Sequence, residues 1–374
     1  MLKKVIYALG AIALLFGLWG FYERLAFGEE YVSYGSAVVW GLWVAVYFLF
    51  GGIAIGSFFV ASLEYLFGIQ AFKGLGKPAL WTSLVTLAVA MMSIGFDLGH
   101  MERIWKAFLQ PNFHSGVVED VWGYTIFGIL TLIALILGIR QSKGSGLKVA
   151  MALGFLAALF AAGSPGKFLG DNATRLYWHA ALLPVQFVFM ALLSGVAMTL
   201  VVQAFISPKG ETRQAMSILS VASVILIVVS LYFVWAYFSQ SLYGNIPSLT
   251  SSINELVSGQ YALLFWGVQI VIGSIIPLLV LVQPKLAHNQ LLAGVMGLFI
   301  LIGNAVARYL IIVPGLNVTV MNNIETVFQG PGLTLNYSPS PVEWAVVSGA
   351  LGIVILGILI GTDYLPLYSK KSEA

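Results

Sequence analysis

The chain has 374 residues, of which 59% are hydrophobic and 9% charged, with a formal net charge of +3 and no cysteine. Soluble domains carry about a quarter charged residues, so the composition excludes an ordinary water-soluble fold. Without cysteine, these residues form no disulfide, iron–sulfur ligation or thiolate metal site.

Ten apolar windows, near 5–26, 37–63, 79–99, 118–138, 147–164, 179–206, 215–238, 259–283, 290–312 and 342–362, are long enough to cross a bilayer. A crossing helix needs roughly 20 mostly apolar residues, because its backbone must satisfy its own hydrogen bonds in hydrocarbon. The expected fold class is an all-α polytopic membrane protein. The first window follows Lys3 and Lys4 as a secretory signal would, but Phe21-Tyr22-Glu23-Arg24 is bulky where a cleavage site needs small residues, so a retained helix is expected. In the second window Gly51, Gly52 and Gly56 open a patch of small residues. Close helix packing is the default explanation; room for a flat ring is the sharper one. Glu64 stands near the inner end of the same window.

The densest chemistry lies where the third window ends and the fourth begins, in Phe96-Asp97-Leu98-Gly99-His100-Met101-Glu102-Arg103-Ile104-Trp105 and Ser115-Gly116-Val117-Val118-Glu119-Asp120-Val121-Trp122-Gly123-Tyr124. A carboxylate at the water–lipid boundary costs free energy unless paired, so charge there marks a functional site by default. Asp97, Arg103 and Asp120 are expected to form a compact ion network; the structural alternative has Arg103 capping the third helix and clamping one aspartate. The fifth window, 147–164, is the shortest. The sixth opens at His179 and carries Gln186, Ser194, Thr199 and Gln203, which together with Glu64 trace a proton path, although small polar residues more often serve packing. In the ninth, Arg308 falls about one turn inside the outer end, within reach of Glu255, Glu325 or Glu343, or of a ligand carbonyl.

Orientation follows from the basic residues. Threading ten crossings puts Lys3, Lys4, Lys73, Lys77, Arg140, Lys143, Lys148, Lys209, Arg213, Lys285, Lys370 and Lys371 on one side, expected to be the cytoplasm, with both termini. Most carboxylates fall on the other side, where the long connections 100–117, 239–258 and 313–341 also lie. Long loops gathered on one face usually serve recognition, so a partner is expected to dock there. Trp105, Trp122 and Trp178 at outer helix ends fit an interfacial aromatic belt. A haem needs two axial ligands, and of His100, His114, His179 and His288 only His100 with His179 stand at comparable depth. No haem or metal is expected in this chain.

Around these residues the chain resembles the polysulfide reductase membrane-subunit family, also called NrfD-like. The likeness rests on DLGHMERIW at the end of the third helix, similar to D-L-G-x-x-x-R, and on S-x-x-x-x-D-x-W from Ser115 to Trp122. Weaker echoes are Phe50-Gly51-Gly52-Ile53-Ala54-Ile55-Gly56-Ser57, the sixth helix from Trp178-His179-Ala180 to Leu193-Ser194-Gly195, and Gly303-Asn304-Ala305-Val306-Ala307-Arg308-Tyr309. His100 stands where a small or polar residue is expected, and Glu119 replaces a tryptophan.

The resemblance implies two four-helix bundles with flanking helices, here 37–164 and 165–313, between a first helix (1–36) and a last helix with its tail (314–374). It also implies a quinone site near the outer face, taking menaquinone or ubiquinone, and facing the cluster of an iron–sulfur electron-transfer subunit that a catalytic subunit accompanies. In that case Asp97, His100 and Asp120 are the expected proton-handling groups, with Arg103, Tyr124, His179, Gly52 and Gly56 at the quinone. The chain is then either non-catalytic alone or the quinol-reacting subunit of a respiratory oxidoreductase in a prokaryotic cytoplasmic membrane. A secondary transporter or ion channel is the alternative, but such proteins place charged and helix-breaking residues near the midplane. Nothing points to nucleic acid, since the net charge reflects short basic loops.

Overall fold

A computed structural model describes residues 2–141, 144–207, 213–319, 330 and 332–368. Lys143, Lys209, Glu325, Lys370 and Lys371 lie outside them. Among the described residues all regular structure is helical, and ten helices are long and apolar enough to cross a membrane. They are α1 (Leu2–Phe27), α2 (Leu42–Tyr65), α3 (Gly76–Asp97), α4 (Gly116–Ile139), α5 (Gly146–Gly170), α6 (Leu183–Phe205), α7 (Arg213–Gly244), α8 (Leu263–Leu281), α9 (Gln290–Asn317) and α10 (Pro341–Tyr364).

The ends of these helices are specified locally. Asn289 caps α9 by accepting from the Leu291 and Leu292 amides, and Ser340 and Glu343 form a reciprocal capping box on α10, with Pro341 in its first turn. Three boundaries differ from the sequence expectation. Helix α5 runs on through Pro165, so the shortest window is a 25-residue helix. Helix α9 continues through Pro314 to Asn317. Proline cannot bond the carbonyl four residues earlier, which here is Leu310; the Tyr177 hydroxyl donates to that carbonyl instead (2.8 Å), and the Trp178 indole to that of Ile311 (2.6 Å). Trp178 is therefore buried, a correction to its place in the interfacial belt. Finally, the connection after α7 is largely helical, since α7 reaches Gly244 and Pro247–Val257 forms a further short helix. Within α8, the thirteen residues Leu263–Ile275 wind as a π-helix.

Helix α2 is the centre of the molecule, with its most apolar stretch wholly buried. It packs on α3, α5, α6 and α9, while α3 also meets α4, and α4 meets α5. Helix α6 meets α7 and α9, and α9 meets α8. Helix α1 lies along α10, which also touches α3. Where α2 crosses α6, a Cβ on Gly56 would stand 2.0 Å from the Ala191 carbonyl oxygen and 2.7 Å from the Gly195 nitrogen. Only glycine permits that approach, as in small-residue crossings elsewhere in membranes. Lys3 at the start of α1 pairs with Asp363 near the end of α10, and Tyr7 donates to the same carboxylate (2.7 Å), so both ends of the described chain lie together. At that end Glu64 accepts from the Gly74 and Gly76 amides (3.0 and 2.7 Å), which engages its carboxylate in the turn between α2 and α3.

Candidate functional site

The N-terminal ends of α2 and α4 and the C-terminal end of α5 meet at Asp120, one turn inside α4. Its side chain is buried, and it accepts from the Ser164 hydroxyl on α5 and, at 3.5 Å, from the Tyr47 hydroxyl on α2. Beside it Glu119 is paired with Lys167 of α5 (2.5 Å), which also stands 3.8 Å from Asp171. The charge that Glu119 adds is thus neutralised at the surface, and of this adjacent pair it is Asp120 that points its carboxylate inward.

From Asp120 a line of polar groups enters the protein. Tyr124 is one turn further along α4 and packs edge-on against Tyr47, with ring centroids 5.7 Å apart. Its hydroxyl reaches the backbone of α2, where a Cβ on Gly51 would stand 2.9 Å away. Arg308 of α9 reaches the adjoining position: a Cβ on Gly52 would lie 2.4 Å from its Nη2. The two glycines thus allow a phenol and a guanidinium to approach α2 at consecutive residues. Arg308 donates to the Ser194 hydroxyl (3.2 Å) and the Asn304 carbonyl (3.3 Å), and Asn304 donates to Ser194 (3.2 Å). It forms no ion pair among the described residues, and its Nε has no partner. The expected pairing with Glu255 or Glu343 is corrected: Glu255 accepts from the Gln260 amide, and Glu343 from Tyr337, Ser340 and Ser33. Arg308 lies deeper than one turn because α9 extends to Asn317.

Asp97 belongs to a separate cluster around the end of α3. Arg24 of α1 donates from Nε to the Phe96 carbonyl (2.7 Å) and from Nη2 to that of Leu98 (2.9 Å), stands 3.5 Å from Glu29, and lies over the Trp43 ring. Arg24 therefore caps α3, which corrects the expectation for Arg103. Cations near a helix C-terminus are favoured there. Among the described residues one oxygen of Asp97 is buried without a partner, as is the Tyr34 hydroxyl. Burial, reinforced by the nearby Asp97, pushes the Tyr34 phenol well above its ordinary value, so it stays a neutral donor. The Trp43 indole donates to the Glu343 carbonyl (3.1 Å). Trp43 and Tyr47 are one helical turn apart on α2, so that helix carries both clusters on one face.

The remaining expected residues stand at the surface. His100 Nδ1 lies 3.0 Å from Glu102, and Arg103 lies 3.5 Å from the same carboxylate, all three exposed. Glu102 is held below its ordinary range by its own backbone amide and by His100. His179 Nδ1 lies 2.7 Å from the Gly170 carbonyl. The compact network of Asp97, Arg103 and Asp120 is replaced by two buried clusters and one exposed trio. Sequence reasoning missed Arg24, Tyr47 and Ser164; Tyr47, one turn before Gly51, was the one with a readable signal. Among the described residues no group of three histidines or carboxylates is arranged to hold a metal ion.

Ten apolar helices enclosing a buried carboxylate, two tyrosines and an arginine define a polytopic membrane protein with protonatable groups under one face. Residues 32–320 match the family described as "Polysulphide reductase, NrfD", and the chain belongs to that family. Among its relatives are a selenate reductase subunit of Mesobacillus selenatarsenatis, 27% identical with 100% of this chain and 96% of that protein aligned, and the menaquinone reductase integral membrane subunit of Nitratidesulfovibrio vulgaris, 22% identical with 96% and 90% aligned. A third is the probable Ni/Fe-hydrogenase 2 b-type cytochrome subunit of Escherichia coli, 24% identical with 92% and 88% aligned.

Proposed function

We propose that this chain is the quinol/quinone-reacting membrane subunit of a prokaryotic respiratory oxidoreductase, exchanging electrons at the outer face with an iron–sulfur subunit that a catalytic subunit accompanies. The observation that carries the proposal is Asp120: a buried carboxylate hydrogen-bonded by two hydroxyls, one turn from Tyr124 and in line with Arg308. That donor and acceptor set fits a quinone headgroup, which needs a proton acceptor for a hydroxyl and neutral or cationic donors for a carbonyl. The name of the menaquinone reductase relative supports menaquinone over ubiquinone.

Quinol, when bound, supplies two electrons and two protons. Asp120 accepts a hydroxyl proton, with Ser164 and Tyr47 holding the carboxylate in place. Tyr124 and Arg308 orient the opposite oxygen, whose proton leaves along the Tyr124 and Tyr47 hydroxyls to Asp120 once the first has passed outward, and Gly51 and Gly52 leave room for both side chains against α2. His100, Asp97 and His179 are proposed to pass protons to the outer surface, whereas Arg103, exposed beside Glu102, and Gly56, closed off by the α6 backbone, do not border the headgroup. The electrons go to the partner's cluster, and the chain is proposed to hold no haem or metal of its own. Given the cytochrome relative, an absorption spectrum of the purified chain without a Soret band is the check on that point. Both termini are proposed to face the cytoplasm. The two bundles proposed at 37–164 and 165–313 are not separate in packing, since α2 lies against α6 and α9 as well as α3 and α5, and α5 and α9 run past 164 and 313 to Gly170 and Asn317.

The test is quinol-dependent reduction of the partner's cluster in the assembled complex. Asp120→Asn is expected to slow it by about 10²-fold or more, the range of one general base. A second reading, ion translocation, draws on Arg308 and Asn304 buried well inside α9 and on Glu64 at the inner end; it calls for ion flux without any partner protein.

A further inference from the structure

Three cavities lie along α6: one of about 400 Å³ between the connection that precedes α6, α6 itself and α7, and two of about 60 and 40 Å³ among α6, α7, α8 and α9. Gln186 of α6 lines all three, Gln269 of α8 lines the two inner ones, and Asn304 lines the innermost. The rest of the lining is mostly apolar and aromatic, with Val234, Phe238 and Phe265 at the middle cavity and Phe233 at the large one. No Asp, Glu, Lys or Arg lines any of the three.

Neither Gln186 nor Gln269 has a side-chain hydrogen bond among the described residues, although both are partly buried on membrane-crossing helices. An unpaired amide is costly in hydrocarbon, and both of these face cavities instead of packed side chains, so they are free to meet a ligand. Gln269 sits in the π-helical part of α8, whose wider turn also brings Gly273 against Gly303; π segments recur at functional sites. His179, which the function proposed above also uses, is the one basic side chain in the lining and stands at the large cavity; the two inner cavities hold none, so a phosphate or carboxylate headgroup would stand uncompensated there. Two amide donors call for carbonyl acceptors on a largely apolar body: Gln186 borders the large cavity, whose 400 Å³ falls within the roughly 300–1,000 Å³ of small-molecule sites, and Gln269 borders the two smaller spaces that Gln186 also lines.

We infer that this cleft is a second binding site for a neutral dicarbonyl amphiphile of the p-quinone class, separate from the Asp120 cluster, with Gln186 and Gln269 donating to its carbonyls. The ligand class rests on the function proposed above; the site itself rests on the cavities and the two amides. A headgroup held here waits beside α6, one helix away from α2, in a position to exchange with the pool in the bilayer.

The test is equilibrium dialysis of duroquinone, a fully substituted p-quinone, against the full-length chain in quinone-free phosphatidylcholine nanodiscs. Two binding sites are expected in the unaltered chain. Gln186→Leu with Gln269→Leu removes one and leaves the other, weakening the lost site at least 10-fold. Ala236→Trp, which fills the large cavity without touching either amide, has the same effect and guards against a folding artefact in the double variant. Asp120→Leu removes the other site only. Unchanged binding in both cleft variants overturns the inference, as does a single site that Asp120→Leu abolishes, while the function proposed above then stands. A single site lost only in the cleft variants upholds the inference and refutes the role of Asp120.

Discussion

At Asp120 two hydroxyls on two different helices converge on one carboxylate, so Ser164 and Tyr47 position the group that the proposed chemistry needs. Ser164→Ala and Tyr47→Phe each remove one hydrogen bond, worth roughly 1–1.5 kcal/mol, and each is expected to slow quinol-dependent cluster reduction about 10-fold in stopped-flow traces. The second-helix glycines separate by what lies against them. Gly56→Ala drives a methyl into the α6 backbone and is expected to lower stability by about 1–3 kcal/mol or prevent assembly, measured as melting temperature in detergent. Gly52→Ala meets only the far end of Arg308, so it is expected to fold but to shift the guanidinium and weaken quinone binding. Asp97, Asp120, Gly52 and Arg308 stood out in the sequence because charge and clustered small residues are conspicuous in apolar windows. Their partners did not: Arg24 sits in the last turn of α1, far in sequence from the α3 end that it caps, and Ser164 is an ordinary small polar residue until the fold brings it to Asp120.

For whole helices, hydropathy located all ten crossings, while the proline-containing ends of α5 and α9 were legible only through tertiary contacts. Pro314 stays within a helix because Tyr177 satisfies the carbonyl it frees. Tyr177→Phe is therefore expected to cost about 1–3 kcal/mol as an orphaned buried acceptor, read as a lowered melting temperature. Glu343 joins the α10 cap to Tyr337 and Ser33, so its removal is expected to cost more than Ser340→Ala, which loses about 1 kcal/mol of capping alone. The capping box was present in the sequence as Ser-x-x-Glu across 340–343. The loop contacts of Glu343 were not, because they depend on how α1, α2 and α10 meet.

Across the whole molecule, the position of each end relative to the membrane decides what the buried carboxylate faces. The chain has no cysteine, so single introduced cysteines report on topology directly. Leu109→Cys, exposed before α4, is expected to react with an impermeant maleimide added outside spheroplasts, and Phe67→Cys, exposed after α2, only after lysis. The reverse pattern would turn the molecule over and put Asp120 beneath the cytoplasm. The two halves also differ in kind: packed polar contacts fill the α2, α4 and α9 junction, whereas the cavities that share Gln186 open among α6 to α9. Nothing in the windows foretold that contrast, since hydropathy reads how apolar a helix is and not how its side chains pack against their neighbours.

The most direct measurement is the rate at which quinol reduces the iron–sulfur cluster of the partner in the purified, fully assembled complex, with Asp120 and with Asp120→Asn. A loss of about 10²-fold or more, with subunit stoichiometry and cluster content unchanged, is the expected result for a general base. An Asp120→Asn complex that reduces the cluster at the unaltered rate would contradict a quinol-handling role for this buried carboxylate.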